Sequence, residues 1–267
     1  MSPPFIGSPS LQHPVSQTCT AAQFAEDEFL RWMDAIHQQP RLHRKQWEYA
    51  YTLQVMEQCG ALQPGRAALG VGCGMEPIAA VLAGRGLYLT VTERPGFRPR
   101  GQERELSGPM DLFYGGICSE DTFLQQASWR TLDARDLPLD LGGFDLMWAC
   151  SVLEELGSIE AGVDAVVKLG RLLRGGGVGV FTTQFNAGSD ADTIETPQLA
   201  VWRRLDLLNL QARLVDAGCE MLPLNLSPGR MAEDDVIDEP PYRNPVHLKM
   251  RLDGQVITSV GFAIRKL

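Results

Sequence analysis

The residues of this chain best suited to chemistry lie between Ala67 and Pro77, in the run AALGVGCGMEP. A short apolar stretch passes into Gly70, Gly72 and Gly74, and Pro77 then fits the first turn of a helix. Glycines let a turn close tightly and bring backbone amides near a ligand, so a strand, turn and helix of this kind can cradle a nucleotide-like molecule. Glu93 ends the next apolar run, 21 residues after Gly72, where a carboxylate can accept both hydroxyls of a ribose. Asp133 and Ala134 end a third run in WRTLDARDLP, and a fourth reads FDLMWACSVLEEL. A dinucleotide turn needs G-x-G-x-x-G, and the places of its third glycine hold Met75 and Pro77, which counts against a nicotinamide ligand.

The elements that must position these residues follow from periodicity. Helical spacing predicts an amphipathic helix over 21–38 and a second over 43–59, stopped by Gly60. Short apolar runs then predict strands over 67–71, 88–92, 129–132, 144–149 and 178–182. Helices are expected between them over 77–83, 102–113 and 158–173, and a further one over 197–217. A strand near 220–225 follows, and two apolar runs, 246–252 and 255–265, meet at the hairpin signal Asp253-Gly254. The expected fold is α/β: a doubly wound, mostly parallel seven-stranded sheet with helices on both faces, an antiparallel strand at its C-terminal end and an N-terminal helical cap. Residues 1–20 read as a flexible tail, 21–62 as the cap and 63–267 as the ligand-binding domain.

Composition narrows the partners. A net charge of -9 and a pI near 5.0 argue against binding nucleic acid through many phosphates. The start of the chain lacks the basic-then-apolar pattern of a secretory leader, and no stretch approaches the ~18 apolar residues of a membrane span, so a cytoplasmic protein is expected. Six scattered cysteines show no metal-ligand spacing, and no metal is expected. Arg94, Arg98, Arg100 and Arg104 cluster, but arginine supplies 20 of the 24 basic residues, so they read as surface.

Taken in order, the segments from Arg66 to Thr183 resemble a class I S-adenosylmethionine-dependent methyltransferase. The resemblance implies a cofactor site in which Gly70, Gly72 and Gly74 form the turn and Gly72 and Gly74 approach the methionine part. It implies further that Glu93 binds the ribose, that Asp133 and the Ala134 backbone hold the adenine, and that Cys150 and Ser151 line the pocket. Two positions depart from the pattern. Gly70 stands where the family carries an acid, and Glu76 stands where it carries a glycine; Glu76 is expected to replace that acid against the cofactor's ammonium, or else to be a helix-start acid. Glu155 stands where many relatives carry histidine and is a candidate base or cation anchor.

Acceptor contacts are expected from Gln184 and Asn186, in the polar stretch TTQFNAGSDADT. Trp47, with Tyr51, belongs to the aromatic block HRKQWEYAY of the cap, and His247 is placed near the rim. The expected activity is methyl transfer to a small-molecule or glycan-like acceptor. A nicotinamide-dependent oxidoreductase, or a catalytically silent protein of the same fold, are the alternatives.

Overall fold

The chain enters its sheet sooner than periodicity suggests. The computed structural model describes residues 7–99, 101–138 and 141–267, and Ser16–Thr18 forms a buried strand, β1. A polar three-residue strand offers no alternation to read; backbone pairing places it. The expected tail therefore ends before residue 16, and residues 1–6 of it lie outside the described residues. The helix expected over 21–38 is broken: a 3-10 turn, Ala21–Ala25, precedes α1 (Asp27–Ala35), with Glu26 extended between them. The Glu26 carboxylate accepts from the Leu11 amide at 2.6 Å and the Gln12 amide at 3.1 Å, which anchors the break. The second cap helix, α2 (Arg44–Gln58), forms where expected, with the His43 ring accepting from the Lys45 amide at its start.

The alternating units then follow as β2 (Ala67–Gly70), α3 (Ile78–Gly84), β3 (Tyr88–Glu93), α4 (Glu120–Gln126), β4 (Ala127–Thr131), β5 (Phe144–Cys150), α5 (Ile159–Leu172) and β6 (Leu173–Asn186). Residues 102–113, expected as a helix, hold only a 3-10 turn at Pro109–Leu112, since Gly108-Pro109 interrupts any longer run. The helix comes later, as α4, started by Ser119 accepting from the Thr122 amide. A small ribbon, β7 (Glu195–Thr196) with β8 (Leu199–Ala200), replaces the first turns of the helix expected from residue 197. The helix itself is α6 (Arg204–Leu214). The chain ends with β9 (Cys219–Met221), β10 (Leu224–Asn225), β11 (Ile237–Asp238), β12 (Lys249–Leu252) and β13 (Gln255–Lys266).

The sheet runs β4-β3-β2-β5-β6-β13, parallel through β6, with β13 antiparallel from Ile257↔Asn186 to Arg265↔Val178. This is the doubly wound α/β fold with an antiparallel C-terminal strand. It is wider than seven strands, because the outer edge of β13 takes up β12, β1 and β9, with β10 and β11 beyond them: eleven strands among the described residues. The Asp253-Gly254 turn closes the β12–β13 hairpin with both residues at positive φ, as a two-residue turn of this hand requires. Helices α1, α2 and α3 bury one face around Trp32, Trp47, Tyr51 and Leu82, and α5 and α6 bury the other around Val163, Leu210 and Phe262. No helix among the described residues is long and apolar enough to cross a membrane.

Because β2 pairs with β3 on one side and β5 on the other, the winding reverses at β2, and a crevice must open at the carboxyl ends there. Helix α2 covers it, docked on β13 where the Tyr51 ring lies over Gly261 and a Cβ at Gly261 would enter that ring. Gly261→Ala should therefore cost about 1–3 kcal/mol of stability by overpacking. Denaturant titration checks this, with Gly175→Ala, where a Cβ meets nothing within 4 Å, as the control.

Candidate functional site

At the switch point the structure holds a cleft of about 780 Å³. Of the nine residues expected to hold a cofactor, it is lined by Gly72, Gly74, Glu76, Glu93, Asp133, Ala134, Cys150 and Ser151. The turn itself explains its glycines. Gly72 and Gly74 have φ of 60° and 52°, and a Cβ at Gly72 would lie 2.7 Å from a methyl of Val152. Gly70 is the exception: it does not line the cleft but lies beneath the Trp148 ring and the Cys73 sulfur, with no room for a Cβ.

Two buried acids flank this turn. Glu93 accepts from the Gly74 amide at 3.1 Å and from the Arg94 amide at 2.8 Å, and burial pushes its pKa above the ordinary carboxylate value. Glu76, 4% exposed, accepts from the Trp148 indole N–H, and burial pushes its pKa up to about 8. No ion pair to Glu76 forms among the described residues. Further along, Asp133 is held below its ordinary value by the Arg135 guanidinium, which wraps back onto both its oxygens. At the mouth, Glu155 faces Arg94 at 3.7 Å, each about half exposed.

The opposite wall comes from α2. Lys45 and Tyr49, one turn apart, face the cleft, while Trp47 and Tyr51 point the other way into the core, stacked at 5.0 Å. The polar side of this helix is thus the inward side. At its centre Glu48 is fully buried. One carboxylate oxygen accepts from Ser259 Oγ at 2.5 Å and Arg44 at 3.3 Å. The other accepts from Ser151 Oγ at 2.8 Å, Lys45 Nζ at 3.0 Å and Thr182 Oγ1 at 3.2 Å. Burial alone would raise its pKa; Lys45, Arg44 and the hydroxyl donors outweigh that and hold it at about 2. Ser151, just past β5, has φ 57°, a conformation uncommon outside glycine; its hydrogen bond to Glu48 and its amide donating to the Thr182 carbonyl at 3.0 Å fix it there.

The expected acceptor residues lie elsewhere. Trp47 is core, and Asn186 is consumed by its own loop, donating to the Asp192 carbonyl and Gln255 and accepting from the Gly188 and Ser189 amides. His247 stacks on His43 and pairs with buried Asp238 at 2.6 Å, away from the cleft. Gln184 sits in β6 with Oε1 buried and without a partner, also outside the lining. Arg100 lies outside the described residues; Arg98 and Arg104 are surface residues paired with Glu105 and Asp111. What the sequence reading missed, Lys45, Tyr49 and Glu48, sits inside the block HRKQWEYAY already singled out for its aromatics. The signal was the 45, 48, 49, 52 spacing of polar residues on one helix face.

Because Glu48 is the shared, buried counter-ion of Arg44 and Lys45, Glu48→Ala should cost about 3–5 kcal/mol. Its depressed pKa gives the sign with pH: the contribution is complete above about pH 4.5 and is lost as pH falls toward about 2. Urea titrations of wild type and variant at pH 7 and pH 3 check this, with the difference between them shrinking at pH 3.

No family model matches this sequence, and no curated protein matches it. Solved structures do. A methyltransferase dependent on S-adenosylmethionine from Methanosarcina mazei aligns at 13% identity over 80% of this chain and 97% of that one, with a TM-score of 0.51. A protein of Galdieria sulphuraria named as a sarcosine dimethylglycine methyltransferase aligns at 11% identity over 83% and 85%, also at 0.51. Magnesium protoporphyrin IX methyltransferase from Synechocystis PCC 6803, solved with S-adenosylhomocysteine bound, aligns at 14% over 92% and 97%, with a TM-score of 0.44. With its strand order, its glycine turn and its cleft at the switch point, this chain has the Rossmann-like fold of the class I S-adenosylmethionine-dependent methyltransferases.

Proposed function

We propose that this chain transfers the methyl group of S-adenosylmethionine to a small-molecule or glycan-like acceptor. Glu76 is the observation that carries the reading. A carboxylate buried beside the glycine turn, with no ion-pair partner among the described residues and with its pKa raised to about 8 despite the nearby Lys45 charge, has a place for one, and an α-ammonium would fill it. The same feature speaks against a nicotinamide cofactor, whose pyrophosphate would meet Glu76, a buried acid, at the turn.

In this reading Gly72 and Gly74 give backbone room to the methionine part, and Glu93 accepts from the ribose hydroxyls. Asp133 and the Ala134 backbone hold the adenine, and Cys150 and Ser151 form the wall toward the acceptor. S-adenosylmethionine, when bound, supplies a methyl group activated by its sulfonium. The chain supplies orientation and a water-poor pocket, with Tyr49 of α2 in its wall. An acceptor that is already nucleophilic needs no base; for one that must lose a proton, Glu155 is the candidate, and its contact with Arg94 would have to open first.

The test is calorimetric titration with S-adenosylhomocysteine between pH 6 and pH 9. Ammonium binding requires the Glu76 carboxylate, which is protonated in the free protein below about pH 8. Kd should therefore fall about tenfold per pH unit up to that value and level off above it. Glu76→Gln should bind about tenfold or more weakly at pH 8 and lose the slope. Equal binding by the variant removes Glu76 from the site. NADH binding in place of S-adenosylhomocysteine removes the methyltransferase reading.

A further inference from the structure

The cleft contains a cation that the cofactor reading leaves unused. Three basic side chains line it, and two are already committed to carboxylates: Arg135 to Asp133, and Arg94 to Glu155. Lys45 donates to Glu48 at 3.0 Å, yet Glu48 also serves Arg44, so Arg44, Glu48 and Lys45 together carry one positive charge in excess. That charge emerges at the ammonium of Lys45, whose side chain is 37% exposed, with donors to spare beyond its single hydrogen bond. The other acids facing it are Glu76 and Glu154. Both are buried and shifted toward their neutral forms; Glu154 is also held by the Thr183 hydroxyl at 3.0 Å.

The place of this charge in the cleft is specific. Through Glu48, Lys45 is tied to Ser151 at the end of β5 and to Thr182 in β6, on the side of the cleft away from Asp133 and the β3–β4 end. Swinging the ammonium away breaks its bond to Glu48, and turning α2 itself breaks the contacts of Glu48 with Ser151, Thr182 and Ser259. A fixed, half-buried ammonium with spare donors, in a pocket wall otherwise made of Tyr49, Cys150 and Ser151, is suited to a carboxylate.

We infer that Lys45 anchors the carboxylate of the methyl acceptor, so that the acceptor is a small carboxylic acid. This rests on the methyltransferase reading, and the test separates the two. Ligand-observed NMR is recorded with acetate and benzoate, each against its amide, on wild type, Lys45→Met and Lys45→Arg, with and without saturating S-adenosylhomocysteine. At least one of the two carboxylates should bind wild type and Lys45→Arg, weaken at least about tenfold in Lys45→Met, and outcompete its amide. Removing the Lys45 charge raises the Glu76 pKa further, so calorimetry of S-adenosylhomocysteine should give Kd values for wild type and Lys45→Met that converge toward pH 9, where that effect fades.

Three outcomes overturn the inference: neither carboxylate binds wild type, both bind Lys45→Met undiminished, or Lys45→Met still weakens S-adenosylhomocysteine at pH 9. In the last case Lys45 serves the cofactor's own carboxylate instead. Failure of wild type to bind S-adenosylhomocysteine at all counts against the methyltransferase reading, while the carboxylate arm without it still reads out Lys45.

Discussion

A carboxylate cut off from water must find its whole solvation shell in the protein, and Glu48 finds it in five donors from different parts of the fold. Arg44 and Lys45 belong to its own helix, Ser151 follows β5, Thr182 lies in β6 and Ser259 in β13. Desolvating such a group costs several kcal/mol, so any rotation of α2 that loses these partners is strongly opposed. The helix is pinned by its polar side. Its aromatic side then has one place to go, the core under β13, where Trp47 and Tyr51 stack and Tyr51 Oη donates to the Val15 carbonyl. The orientation of Lys45 and Tyr49 toward the cleft follows from the same constraint, as does the positive φ of Ser151.

Charge is divided across the cleft in a way that limits what can enter it. The two acids flanking the glycine turn, Glu76 and Glu93, are buried enough to resist ionising alone. The outer end is self-satisfied, with Asp133 bound by Arg135 and Glu155 facing Arg94. The α2 wall keeps a net positive charge. A ligand that is cationic at the turn and close to neutral near Asp133 suits this arrangement, and a polyanion does not.

How much of this was legible follows from what each signal depends on. Strands β2, β3, β5 and β6 are apolar runs buried on both faces, and composition alone reveals them. The acids at their ends came with them, since a residue at the carboxyl end of a central parallel strand is at the switch point whatever its neighbours do. Strand β1 was invisible because three polar residues are held there by pairing with β13 and β10, partners more than 200 residues away. Aromaticity in the block HRKQWEYAY points to Trp47, whereas the cleft receives Lys45. The usual rule, apolar side inward and charged side outward, holds for α2 only on the face that meets β13. At the other face, inward means toward the cleft. Asn186 and His247 had the right chemistry, but their hydrogen bonds were already spent on a loop and on Asp238, which only the fold reveals.

One side chain, Trp148, sets what positions 70 and 76 of the glycine turn can hold. An acid at position 70 would need space that the Trp148 ring and the Cys73 sulfur occupy, so with tryptophan at 148 only glycine fits there. The same tryptophan presents its indole N–H to Glu76, six residues along, and that bond is one of the few polar contacts such a buried carboxylate has. The ring that excludes a side chain at 70 therefore also supports one at 76. Gly70, Trp148 and Glu76 pack as one unit: the ring that leaves no room for a side chain at 70 gives the buried carboxyl group at 76 its hydrogen bond, just ahead of α3.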